Sequence, residues 1–328
     1  MAKRSLRWKG FGVEVEIPEQ AAGALRRVLP RSKARPPALP SDRATSLVDF
    51  PDSLPELRLD DRDQATAGYI QGLRDADPWY SNAWDPIDEN TDLAELVKRQ
   101  IWYHTIDLPG GVTTPGYYDH RTLVPHYGLP DSLAGKRVLD VGAWDGFWSF
   151  EFERRGATVT AVDIDQLLDT DLPPRYKQAI RDANLDQRLG GGFEIARKSL
   201  GSKVDRIVRN VYELDPADIG TYDIVHFADV SLHLERPLEA FRRIRSVTGE
   251  RAIIVDAYNP ELDRDTRTLT EYLGGWPNAT WWAPGLNTFA QMVLDAGFSS
   301  VRVQTAYRIN PREEGGVGRW RAVLDARP

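Results

Sequence analysis

Val138-Leu139-Asp140-Val141-Gly142-Ala143-Trp144-Asp145-Gly146-Phe147-Trp148-Ser149 reads as a buried strand, a tight glycine turn and the first turn of a helix. That succession places a ligand at the carboxyl edge of a sheet. Gly142 lets the backbone come close to the ligand, and Gly146 lets the helix pack against the strand. A second apolar run, Thr158 to Ile164, ends on Asp163-Ile164. An acid about twenty residues beyond such a turn can accept both hydroxyls of a ribose.

Working outward, the same rhythm continues. Strand patterns cover 136–142, 158–164, 205–211, 222–229 and 251–258, and two later ones lie near 300–306 and 319–326. Helical patterns cover 146–155, 174–186, 191–199, 236–247 and 286–296. Strands alternating with helices predict an α/β, doubly wound, Rossmann-like parallel sheet covered on both faces, with right-handed crossovers. Upstream, 11–16 alternates like a strand, Glu19–Leu29 reads as a helix stopped by Pro30, and 30–57 is an irregular linker. Residues 60–76 and 91–102 look helical. The expected organisation is an N-terminal extension over 1–97 and a catalytic domain over 98–328.

The glycine spacing discriminates between ligands. A dinucleotide fold uses G-x-G-x-x-G around a pyrophosphate, but here Ala143, Trp144 and Asp145 separate the two glycines. A bulky ring and an anion suit a cationic nucleoside better, and S-adenosylmethionine (SAM) carries a sulfonium, an α-amino group and a ribose diol. Asp140 or Asp145 then faces the amino acid end and Asp163 the ribose. Asn210 and Val211 flank the adenine, with Phe227 and Ala228 beneath it. An NAD-dependent dehydrogenase is disfavoured, because no Tyr-x-x-x-Lys accompanies the turn.

With these residues in view, 138–165 resembles motifs I and II of class I SAM-dependent methyltransferases. The lead-in, Trp102-Tyr103-His104 through Thr113-Thr114-Pro115-Gly116-Tyr117-Tyr118-Asp119, is similar to that of the tRNA wobble-uridine (5-methoxyuridine or 5-oxyacetate) methyltransferases. So is 229–244, where Leu232-His233 stands in the place of that family's Tyr-His pair. The resemblance covers about 98–327 and implies the class I fold and SAM as cofactor.

Composition narrows the acceptor. The 328 residues carry a net charge of −7 and a pI near 5.4. Nucleic-acid binding draws most of its affinity from a basic surface. A small-molecule acceptor, a specialised metabolite or sugar, is therefore favoured over tRNA. Residues 1–35 alone are basic, with nine Lys/Arg against three Glu, and an anion-binding arm there would serve tRNA. There is no cysteine, so disulfides, thiolate metal sites and a cysteine nucleophile are excluded. No apolar run is long enough to span a membrane, and the expected location is cytoplasmic. A homo-oligomer through the N-terminal extension is one use for that segment.

O-methylation needs alignment and a base for the acceptor hydroxyl. Of five histidines, His233 lies just past the fourth strand, where acceptor meets SAM, and His104 lies in the lead-in. These are the candidate catalytic residues. His226, inside a strand, reads as a core residue. Tyr103, Tyr117, Trp281 and Trp282 are the candidate substrate-binding rings. Asp229, Asp256 and Asn259 offer oxygen ligands for Mg²⁺, but helix capping is the favoured use and no metal is assigned. Two alternatives stay open: a carboxylated SAM as donor, and a SAM-binding scaffold without catalysis.

Overall fold

The computed structural model describes residues 3–7, 14–18, 66–75, 91–264, 267–275, 279–312 and 318–328. The chain divides into two compact units, Met1–Leu57 and Arg58–Pro328. In the first, strands β1 (Lys3–Arg7) and β2 (Glu14–Pro18) pair antiparallel, Lys3 opposite Pro18. The expected strand over 11–16 is thus displaced toward 18 and has a partner the sequence did not suggest. The expected helix 19–29 and linker 30–57 lie outside the described residues, as does most of the segment expected to mediate oligomerisation.

The second unit begins forty residues before the expected boundary at 97/98. The reason is packing: on the helix over 66–75 (α1), Ile70, Tyr69 and Leu73 join a cluster with Leu172, Tyr176, Ile180 and Leu185. A short helix follows at Leu93–Lys98 (α2), capped by Asp92, whose carboxylate accepts from Ala94 N.

A seven-stranded sheet forms the centre. Its strands are β3 (Arg137–Val141), β4 (Thr158–Asp163), β5 (Asp205–Val208), β6 (Tyr222–Ala228), β7 (Thr248–Ala257), β10 (Ser300–Ile309) and β11 (Arg319–Arg327). The order is β10-β11-β7-β6-β3-β4-β5. All neighbours from β7 to β5 are parallel; β11 runs antiparallel between β7 and β10. The chain leaves β3 toward β4 on one side and returns as β6 on the other, so the strand order reverses beside β3. That is where an open α/β sheet binds its ligand. A small hairpin, β8 (Thr270–Tyr272) with β9 (Trp282–Pro284), was not foreseen.

Strand alternation sorts the core into two faces. Val138, Ile224, Ile253 and Val255 pack under α3 (Phe147–Arg154) and α5 (Gly191–Leu200) with Phe152 and Phe193. Leu139, Val141, Val225, Phe227 and Ile254 pack under α7 (Pro237–Val247) and α8 (Leu286–Asp295) with Phe241 and Phe289. The remaining helices are α4 (Pro174–Ala183) and the single turn α6 (Pro216–Ile219).

Two glycines set the turn after β3. Gly142 has φ +77° and Gly146 φ +88°. A Cβ on Gly146 would stand 2.6–2.8 Å from the rings of Phe150 and Phe193, so this glycine lets α3 seat against the sheet. A Cβ on Gly142 would run into Val230 Cγ2, so the close approach here is to the chain's own loop after β6. Gly142→Ala combines left-handed strain with overpacking and is expected to destabilise by about 2–4 kcal/mol. Urea denaturation checks this, with partial recovery in Gly142→Ala/Val230→Ala; a loss below about 0.5 kcal/mol would contradict it.

Candidate functional site

A cavity of about 320 Å³ opens at the carboxyl edge of β3, β4 and β6. Its floor includes Asp140, Gly142 and Ala143 from the glycine turn. Asp163 borders it at the end of β4 and Ile164 just past it, Asn210 and Val211 past β5, and Ala228 at the end of β6. Tyr103, His104 and His233 line it as well. Eight of the cofactor candidates, one substrate ring and both candidate catalytic histidines are therefore brought together.

Asp163 is hydrogen-bonded before any ligand arrives. Its Oδ2 accepts from Trp144 N at 2.6 Å and its Oδ1 from Ile164 N at 2.8 Å. Burial raises its pKa to about 6 against these two donors. Each oxygen keeps a further lone pair. Asn210 uses Oδ1 to cap its own 3₁₀ turn through Tyr212 N and reaches Asp169 O with Nδ2.

Several expected residues are elsewhere. Asp145 does not line the cavity. It is buried, its Oδ2 accepts from Tyr103 N and His104 N at 2.8 Å each, and its Oδ1 meets His104 Nδ1. It anchors the lead-in across the sheet edge, because three donors converge on it there. Gly146 serves helix packing, as above. Phe227 points to the opposite face, its ring 6.1 Å from Phe241, because strand parity separates it from His226 and Ala228. Tyr117 sits on the surface against Tyr118, at a centroid distance of 4.7 Å. Trp281 is buried with its Nε1 donating to Asp171 O at 2.5 Å, and Trp282 Nε1 donates to Glu235 O at 3.2 Å. Both indoles brace the loops behind the cavity, since each N–H is spent on a neighbouring carbonyl.

His226, read as a core residue, is buried and its Nδ1 lies 2.7 Å from Asp140 Oδ1, while Ser149 Oγ donates to Asp140 Oδ2 at 2.5 Å. It also reaches the cavity lining.

The end of the cavity past β6 is polar. Asp229 has φ +53°, a left-handed conformation uncommon for a residue with a side chain. Its Oδ1 accepts from Arg321 Nε and its Oδ2 from the Tyr103 hydroxyl at 3.2 Å. Burial pushes the Asp229 pKa up, but Arg321, His120 and Tyr103 outweigh it, and the carboxyl stays below the ordinary range. Asp256 is also occupied: its Oδ2 accepts from Ser231 Oγ and Leu232 N and its Oδ1 from Ala257 N. Burial and the nearby Asp229 charge raise its pKa to about 6. Both carboxylates, weighed above as metal ligands, tie loops to the sheet. Among the described residues there is no cluster of three metal-ligating side chains.

His233 opens to solvent on one side, while the protein packed around it lowers its pKa below the usual imidazole value. Its Nδ1 is 3.1 Å from Ala279 O. A carbonyl can only accept, so Nδ1 carries the proton and Nε2 the lone pair. Sequence reasoning missed Tyr69, Thr170, Asp171, Arg209 and Val230, all on the lining. Val230 is readable, two residues past a strand end; Thr170, Asp171 and Arg209 lie in connections with no motif, and Tyr69 lies on α1, far upstream of the glycine turn.

Among the described residues no helix is long and apolar enough to cross a membrane. Comparison with known proteins bears on the fold around this cavity. The ubiquinone biosynthesis O-methyltransferase of Marinobacter nauticus is 28% identical over 169 residues, 51% of this chain and 52% of that protein. The magnesium-protoporphyrin O-methyltransferase of Rhodobacter capsulatus is 49% identical over 53 residues, 15% of this chain and 24% of that protein. The chain thus spans about half the length, or less, of these curated relatives. Among solved structures, the N-terminal domain of EvdMO1 with SAH bound has a TM-score of 0.46 at 16% identity, over 72% of this chain and 97% of that one. The family model described as a methyltransferase domain matches residues 120–303, more than half of the 328 residues and all of the parallel strands β3 to β7, so the chain belongs to the methyltransferase-domain family.

Proposed function

We propose that this protein is a SAM-dependent O-methyltransferase of a small hydroxylated molecule, working in the cytoplasm. The observation that carries the reading is the cavity itself: a carboxylate at the end of β4 with lone pairs to spare beside an open, polar end holding a neutral imidazole. The names of the curated relatives, O-methyltransferases in ubiquinone and magnesium-protoporphyrin chemistry, support it. The donor set fits the cofactor. Asp163 would accept the ribose hydroxyls, Ile164 and Val211 would border the adenine, and Gly142 and Ala143 would meet the amino acid end. When bound, SAM supplies a methyl group activated by a sulfonium.

The chain's own residues supply alignment and proton handling. His233 is neutral at pH 7, because its pKa is lowered, and its Nε2 is free to take the acceptor's proton. His104 is committed to Asp145 through Nδ1, so it holds Tyr103 in place and ranks second as a base. Tyr103 keeps its proton, since burial and the Asp229 charge raise its pKa well above the ordinary phenol range. Its hydroxyl and Asp229 would orient the acceptor.

The test is calorimetry with SAM, with NAD⁺ as control, followed by labelled methyl transfer to hydroxylated metabolites and, in parallel, to unmodified tRNA. Micromolar SAM binding and label in a small molecule are expected. Label confined to tRNA would instead favour the wobble-uridine reading, and no SAM binding would overturn the proposal. His233→Ala should cut turnover about 10²–10⁴-fold with SAM affinity held within twofold. Wild-type turnover should be level above pH 7 and fall on the acid side as the ring gains a proton.

A further inference from the structure

The matched family segment starts at residue 120, yet the cavity lining also draws on side chains before it: Tyr103 and His104 from the lead-in and, farthest upstream, Tyr69. Tyr69, on α1, borders the cavity and stacks on Tyr176 with centroids 4.5 Å apart and planes 6° apart. Tyr176, Leu172 and Ile180 are buried with α1's Ile70, and Leu167 and Ala279 pack on the same cluster. Leu167, Leu172 and Ala279 also line the cavity, so one apolar cluster has α1 on it and the ligand space beside it. Gln187 Nε2 adds a hydrogen bond to Leu73 O at 3.3 Å.

α1 is held lightly for an element in that position. Of its ten residues only Ile70 is buried. Gly68 and Gly72 lower its helix propensity by about 1 kcal/mol each relative to alanine. Ile70 is its buried anchor, with Tyr69 and Leu73 half-buried beside it, and elements that bury few side chains open most readily.

We propose that α1 completes the wall of the cavity from outside the family segment, and that Tyr69 is its ligand-contacting side chain. The ring stands with Leu167 and Leu172, the stretch that follows Asp163, so it faces the nucleoside half of the ligand. This rests on the SAM reading above. Because ligand and α1 share that contact, occupancy of the cavity stabilises the docked helix, and the docked helix tightens binding.

The experiment uses the full chain and S-adenosylhomocysteine as probe. Calorimetry is run on wild type, Tyr69→Ala and Tyr69→Phe, and backbone deuterium uptake over 66–75 is followed with and without saturating probe. Tyr69→Ala is expected to weaken binding about tenfold and Tyr69→Phe less than threefold, since stacking needs only the ring. Uptake over 66–75 is expected to fall on saturation of wild type. Unchanged affinity in Tyr69→Ala, even with a lowered Tm, would show a purely structural tyrosine and overturn the inference. Uptake over 66–75 indifferent to the probe would overturn it as well. Absence of binding to wild type is a different result: it removes the cofactor reading, and this inference with it.

Discussion

Asp163→Ala is expected to weaken SAM binding by about 100-fold. Hydrogen bonds to a charged group contribute about 1.5–3 kcal/mol each, and two ribose hydroxyls would donate to this carboxylate. The variant also releases Trp144 N and Ile164 N, so the turn that carries Ala143 loses its tether. The pH dependence is the sharper signature. With a pKa of about 6 in the free protein, the carboxyl is ionised at pH 7 and mostly protonated at pH 5. Hydroxyl donors select the ionised form, so affinity should be level above pH 7 and about tenfold weaker at pH 5. Stability runs the other way. A folded pKa raised above the usual 3.8 means that the folded state holds its proton longer, so this group's contribution is full below about pH 4 and lost as pH rises through 6. Asp256, also near 6, adds to the stability trend and lies outside the ribose contact, so binding rather than melting is the measurement to use. In Asp163→Asn the pH dependence of affinity between 5 and 7 should vanish. Unchanged calorimetric affinity in Asp163→Ala would remove the cofactor from this place.

The difference between Asp163 and Asp145 shows what was legible in the sequence. Strand patterns, the glycine turn and the spaced acid are local signals; β3, β4 and the turn lie where those signals put them, with Asp163 at the end of β4 on the cavity border. Asp145 sits in the same motif, but its role depends on where a segment forty residues earlier lies, and composition carries no trace of three donors converging on it. Phe227 is set by strand parity. Asp140 and His226 share a face, and counting by twos from either puts Phe227 on the other side. The sequence offers Trp281 and Trp282 as substrate-binding rings, but indole N–H bonds to carbonyls distant in sequence fix both. Tyr69 could not have been found, since nothing in a ten-residue helix with two glycines says which surface it will meet. Long-range partners decide side-chain roles, and one sequence states them only where the partner is its own backbone.

Arg321→Ala is expected to cost about 3–5 kcal/mol, because it leaves the Asp229 carboxylate buried without its cation. Arg321 is 3% exposed and reaches Asp229 from β11, the antiparallel strand, where it stands opposite Ala257. In the wild type Asp229 titrates below the ordinary carboxylate range, so it contributes stability above its unfolded pKa and loses it as pH falls through the folded value. Without Arg321, only His120 and the Tyr103 hydroxyl still oppose burial, the largest influence on this group, and the carboxyl is expected to titrate above the ordinary range. The sign of the linkage then reverses: the variant gains a proton on folding, and its deficit should shrink between pH 7 and pH 5. Arg321→Ala/Asp229→Asn should recover much of the loss at pH 7, since no charge is then stranded. Urea denaturation of the wild type and the two variants at two pH values measures all of this; a deficit under about 1 kcal/mol, or one indifferent to pH, would mean that the pair is not what holds the loop. The consequence reaches the cavity, because the same carboxylate accepts from Tyr103 and sits in a left-handed conformation that the backbone would not choose. Ion pair, strained turn and Tyr103 hydroxyl form one device, and neutralising Asp229 should let the Tyr103 segment drift even where the fold survives.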